Sequence, residues 1–301
     1  MPTALPNAQR AIDAAAQARA CLRQARAGDA PWLHGEVARR MAERLPVIRQ
    51  QPETVIDWWA HAGASQAVLA QAYPKARRLR VEAAAARSLN EPRDAPWWSV
   101  RHWHRAAPEF NEGAVPPASG QLLWANMMLH AVPDPEALMQ RWRRALAIDG
   151  FLMFSTLGPD TLRGLRAVYR DAGWGVAHAP FTDMHDLGDM LVAAGFADPV
   201  MDQERLTLTW ATPDALLDEL RTLGGNADPA RYAGLRTPRW RARLLDALRE
   251  RATADGRIAL EFELVYGHAF NPPPRAKLAG ETRVALDDLR AMARSSRRPD
   301  G

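Results

Sequence analysis

Through its first fifty positions the chain repeats apolar residues at helical spacing. The stretch 11–27 contains no helix breaker, and over 36–48 the residues Val37, Met41, Leu45 and Ile48 recur at three- and four-residue intervals. Two helices are therefore expected before a break at Pro52. From Thr54 the pattern changes to short apolar runs at 55–57, 79–82, 121–125 and 151–155, separated by helical stretches. Alternation of this kind predicts an α/β sheet wound on both faces. Between the last two runs a helix is expected over 135–147, with Asp134 as N-cap, Pro135 in the first turn and a stop near Gly150. The loop 155–160 leads into a helix running to about Asp171, which Asp160 or Thr161 can cap. A helix over 185–194 closes at Gly195, strands are expected over 205–210 and 258–268, and helices over 213–223 and 238–252 lie between those strands. The organisation that follows is a helical N-terminal cap over 1–52, an α/β domain over 53–270 and a weakly ordered Pro- and Arg-rich tail over 271–301.

Composition narrows the class. Of the 301 residues 47% are hydrophobic and 25% charged, enough apolar material for a substantial core. No run is long and apolar enough for a membrane span, and the first residues lack the pattern of a secretory signal, so a cytoplasmic location is expected. One cysteine, Cys21, leaves no internal disulfide and no Cys-rich zinc site. Lys75 and Lys277 are the only lysines, so 39 − 2 = 37 of the basic residues are arginine; a net charge of +4 is modest for this length. Nucleic-acid binding would concentrate basic charge on one motif, so a nucleic-acid binder is the weakest function weighed.

The segments Leu122 to His130, Pro133-Asp134-Pro135, Phe151 to Leu162, Asp183 to Leu187 and Ala194-Gly195-Phe196, followed by Leu206 to Thr209 and Leu220 to Asn226, occur in an order that resembles the class I methyltransferases of biotin synthesis, the BioC family. The resemblance covers roughly 120–270, with a weaker echo at 42–45 and 55–57. It implies a Rossmann-like class I methyltransferase sheet of seven strands, the last antiparallel, with helical insertions before the last two strands. It further implies S-adenosylmethionine as methyl donor and a malonyl thioester, on acyl carrier protein or coenzyme A, as acceptor. The position implied for the donor, across the carboxyl ends of the first strands, is where open α/β sheets hold ligands.

In that family the first strand ends in an acid and runs into a loop with three alternating glycines. Here Asp57 matches the acid, while the three glycine positions fall on Trp59, His61 and Gly63. An indole at the first position takes up room that a nucleoside needs, and a non-glycine residue at positive φ is disfavoured, so an altered or closed pocket is expected. Glu82, nineteen residues after Gly63, stands where such folds place the carboxylate that accepts from ribose hydroxyls. Asn126 follows the fourth strand on the ligand side, as a contact to donor or substrate or as a strand end that satisfies loop backbone. The cofactor-binding candidates are thus Asp57, Gly63, Glu82 and Asn126; no catalytic acid or base is assigned, because a carboxylate acceptor is already ionised at neutral pH. Two functions follow from the resemblance: a carboxyl O-methyltransferase, or a non-catalytic relative that has lost donor binding and acts as an interaction protein.

Other constellations are weaker. Arg163, Arg166 and Arg170 share a helical face, and Arg141, Arg143 and Arg144 form a second cluster; either is a solvated face or a docking patch for an acidic carrier. His102 and His104 lack the partners of a metal site. Trp97, Trp98 and Trp103 interleave with Arg101 and Arg105, as on single-strand nucleic-acid surfaces, although core tryptophans with solvated arginines are the simpler account.

Overall fold

The computed structural model describes residues 12–83, 86 and 108–274. The expectations for 97–105 and for most of the tail lie outside these residues.

The apolar runs form seven strands: β1 (Thr54–Trp58), β2 (Arg77–Glu82), β3 (Glu109–Asn111), β4 (Gly120–Ala125), β5 (Leu146–Leu157), β6 (Ala197–Trp210) and β7 (Ile258–Phe270). They build one sheet in the order β3-β2-β1-β4-β5-β7-β6. The first five strands pair in parallel, and β7 lies antiparallel between β5 and β6. The order reverses between β1 and β4, so the ligand edge of the sheet opens beyond the ends of β1, β2 and β4.

Period-two alternation assigns each strand residue to one of two cores. Ile56, Trp58, Leu123, Leu152 and Phe154 face α4 (Pro135–Ala145) and α6 (Met184–Ala193), where Leu138, Met139, Trp142, Leu187 and Leu191 complete the packing. Trp58 meets Trp142 edge to face with ring centroids 6.3 Å apart. Val55, Leu122, Trp124, Phe151 and Met153 face the other way. There they pack with α2 (Trp32–Ala42), α3 (Gln66–Ala72), α5 (Arg163–Asp171) and α8 (Pro238–Arg249). Helices α1 (Ala14–Ala27) and α7 (Pro213–Thr222) flank the ligand edge, tied together by hydrogen bonds from Arg23 to Gly224 O and from Gln24 to Thr222 O. No helix among the described residues is long and apolar enough to cross a membrane.

Several expected boundaries differ. The second helix begins at Trp32, ends at Ala42 and passes into a 3-10 turn over Leu45–Val47, because Pro46 has no amide hydrogen and its ring disfavours helical backbone at Leu45. The helix after Asp134 stops at Ala145, not at 147: the following residues join β5, whose backbone carbonyls at Leu146 and Ala147 accept from the Asn271 amide. Neither Asp160 nor Thr161 caps α5. Leu162 occupies that position with φ +59°, Asp160 pairs with Arg163 and Arg205, and the Thr161 hydroxyl exchanges hydrogen bonds with the backbone of Glu263.

Candidate active site

Asp57 and Glu82 end adjacent parallel strands. Asp57 is in register with Arg80, so Glu82, two residues further along β2, lies on the same face. Both carboxylates are buried. Asp57 Oδ1 has no hydrogen-bond partner. Burial, reinforced by the charge of Glu82, pushes the Asp57 carboxyl up to about 7, against the Ser65 hydroxyl and the guanidinium groups of Arg80 and Arg78. Glu82 is raised as well, chiefly by burial; Arg80 and the His61 amide oppose the shift, each donating to Glu82 Oε1 at 3.0 Å.

The loop after β1 turns away by bonding back to β2. The Trp59 and Ala60 amides both donate to Val81 O, at 2.6 and 3.3 Å, and the Gly63 amide donates to Trp59 O at 2.8 Å. Trp59 holds φ +54°, so the backbone keeps the left-handed conformation that a glycine would adopt freely. Its indole is buried and donates to the Glu112 carboxylate just beyond β3. The His61 ring approaches Gln24 O of α1 at 3.4 Å. Gly63 sits in a tight space: a Cβ there would lie 3.0 Å from Ser65 Oγ and 3.2 Å from Trp59 O.

Asn126 has no exposed surface. Its amide donates to His34 O at 2.7 Å and Gly63 O at 2.6 Å, while its Oδ1 accepts from the Ser155 hydroxyl at 2.6 Å. One side chain therefore joins α2, the loop after β1 and β5. Sequence reasoning missed His34, whose Nδ1 lies 2.7 Å from Ala62 O and whose burial lowers its pKa to about 4. Extending the period of Val37 and Met41 back by one turn would have placed His34 on the buried face.

Two openings flank this edge. A cleft of 1560 Å³ is lined by Asp57, Ala60, His61, Arg78, Arg80 and Glu109, among others. A second cavity of 570 Å³ lies beyond the ends of β4 and β5, floored by Leu157, Leu162 and Phe262 and reached by His130, His178 and Gln17. The arginine clusters are largely engaged within the chain. Arg163 and Arg170 pair with Asp160 and Asp171, Arg166 donates to Pro159 O, and the Arg141 guanidinium stands 3.8 Å from Glu112. Among the described residues no group of acidic, histidine or cysteine side chains could hold a metal ion.

No family model matches the chain. It is 36% identical over 267 residues to malonyl-(acyl-carrier protein) O-methyltransferase of Halorhodospira halophila, a match spanning 87% of this chain and 90% of that protein. The protein of the same description from Laribacter hongkongensis is 38% identical over 82% of this chain and 86% of its own length. That of Gallionella capsiferriformans is 37% identical over 89% and 94%. Among solved structures, the YcgJ protein of Bacillus subtilis superposes with a TM-score of 0.50 at 12% identity, covering 79% of this chain and 99% of that one, a likeness of fold.

Proposed function

The chain belongs to the malonyl-(acyl-carrier protein) O-methyltransferase family, and from that premise we propose that it transfers a methyl group from S-adenosylmethionine to the free carboxyl of a malonyl thioester. The observation that carries this reading is kinship over nearly the whole of both chains, as in the Gallionella relative. Asp57 and Glu82 add a test of fit. A nucleoside with a ribose and an amino-acid tail presents hydroxyl and ammonium donors, and these two buried carboxylates present acceptors, one of them Asp57 Oδ1 without a partner. The 1560 Å³ cleft beside Asp57, Ala60 and His61 offers room. The groups fit.

S-adenosylmethionine supplies an electrophilic methyl on a sulfonium when bound. Asp57 and Glu82 would hold its donors, Gly63 would permit the close backbone approach, and Asn126 would fix that approach through Gly63 O. A malonyl carboxylate needs no base to become a nucleophile at neutral pH, so the chain's work is alignment and exclusion of water. Acyl carrier protein is the bearer named for the relatives; the same arm on coenzyme A is the second candidate.

Incubating the chain with S-adenosylmethionine and either malonyl-acyl carrier protein or malonyl-coenzyme A, with mass spectrometry of the thioester, tests the proposal. A methyl ester on the carrier-borne malonyl group is expected. Absence of ester from both substrates, together with no calorimetric heat from S-adenosylmethionine or S-adenosylhomocysteine, would reject it in favour of a non-catalytic relative.

A further inference from the structure

The 570 Å³ cavity is apolar over most of its lining, with Leu157, Leu162, Leu165 and Phe262 below and Ala20 of α1 above. His178 is its most informative polar group. Its Nδ1 lies 2.7 Å from Ala179 O. A carbonyl can only accept, so Nδ1 carries the hydrogen, and in the neutral ring Nε2 is left with a lone pair. Nε2 is buried and has no hydrogen-bond partner. The ring is fixed by stacking on Phe181, with centroids 4.8 Å apart and planes 17° from parallel. The amide of Asn226, on the same wall, is already used at both ends: it donates to Val176 O and accepts from the Asp228 amide.

His178 lines this apolar cavity and keeps an unused acceptor at Nε2, a pairing that suits an apolar chain bearing an N–H donor and disfavours a carboxylate oxygen, which can only accept. We infer that this cavity binds the pantetheine arm of the acyl thioester, with His178 Nε2 accepting from an arm amide. His178 is thus a positioning residue: it would place the thioester at the ends of β4 and β5 and leave the malonyl carboxyl to reach towards β1. This inference rests on the malonyl-thioester reading, since that substrate class carries such an arm.

The neutral ring agrees with its surroundings. Burial, and to a lesser degree Arg166, lower the His178 pKa, against the Ala179 carbonyl and Asp228. The other charged or titratable groups around the cavity are Tyr169 of α5, His130 after β4, Arg23 of α1 and Arg221 of α7.

Calorimetric titration of the full chain with pantetheine, in the absence of the methyl donor, separates this inference from the reaction itself. His178→Leu should weaken pantetheine binding about five-fold, the loss of one neutral hydrogen bond. His178→Gln, whose carbonyl can accept, should restore most of it. Wild-type affinity should fall on acidification below the ordinary histidine range as Nε2 takes a proton, and that of His178→Gln should stay level. Coenzyme A and holo-acyl carrier protein should show the same dependence on His178, the tighter of the two identifying the bearer. Failure of pantetheine to bind at millimolar concentration, or binding that strengthens on acidification, overturns the inference while leaving methylation by wild type to be judged separately. The acidification arm uses the wild-type protein and so holds even where His178→Leu does not fold.

Discussion

Replacing Asp57 by asparagine should make the chain's stability markedly less sensitive to pH. Burial beside Glu82 holds the Asp57 carboxyl at about 7, against an ordinary value of 3.8. Between those values the folded protein keeps a proton that the unfolded chain has released. Unfolding then sheds a proton, so stability falls as pH climbs through this window and levels off above it. Once pH has passed both values the accumulated loss is about 4 kcal/mol, of which about 3 kcal/mol falls between pH 5 and 8. Asp57→Asn carries no proton to lose. Urea unfolding followed by tryptophan fluorescence, at intervals from about pH 5 to 8, should show the variant gaining on wild type as pH rises, whatever fixed offset the amide introduces. Because Glu82 is shifted in the same direction, Glu82→Gln should flatten the profile further. Two curves that stay parallel across this range would refute the argument that burial beside Glu82 holds a proton on Asp57.

Other perturbations test the loop and the sheet. Trp59→Gly combined with His61→Gly should tighten S-adenosylmethionine by about ten-fold in calorimetry, yet lower stability by about 3 kcal/mol as the buried indole is lost; unchanged binding would remove the indole as an obstruction. Asn126→Ala strips partners from Gly63 O, His34 O and the Ser155 hydroxyl, so chemical denaturation should reveal a loss of at least about 2 kcal/mol. Gly267→Ala would put a Cβ 2.0 Å from the Phe154 ring across the β5–β7 ladder; a loss of about 3 kcal/mol or non-folding is expected, and a wild-type melting temperature would contradict the register.

Much of the frame was legible because sheet strands buried on both faces read as near-continuous apolar runs, as on β1, β4 and β5, while on β2 Leu79 and Val81 alternate with charged residues. The caps at Asp134 and the turn at Gly195 were legible for local reasons, a side-chain oxygen in one case and positive φ in the other. β3 was not, since three half-buried residues on a sheet edge carry no periodicity. β6 was read as beginning at Arg205, whereas pairing to β7 carries it back to Ala197 through residues whose own sequence includes a proline and two aspartates. Within the site, Asp57 and Glu82 could be placed because strand ends position them. The roles of Glu112 and Ser155 depend on partners far away in the chain, and no local spacing announces such partners.

Trp59 shows how a motif and its physical function can separate. Alternating glycines are a sequence device for holding a backbone at positive φ and for keeping the space above it clear. This chain retains the first property without glycine: Trp59 adopts φ +54°, held by its amide bond to Val81 O and by its carbonyl bond from Gly63. Such a conformation costs about 1 kcal/mol or more for a residue with a Cβ. Burial of the indole in the apolar cluster that also holds Cys21 of α1, with Nε1 donating to Glu112, offsets that strain. The same burial that stabilises the loop therefore ties α1, Trp59 and Glu112 together. Donor binding and the stability of that packing should oppose each other, so substitutions that loosen Trp59 should trade thermal stability for affinity, in proportion, along the series Trp59→Phe, Trp59→Leu and Trp59→Gly.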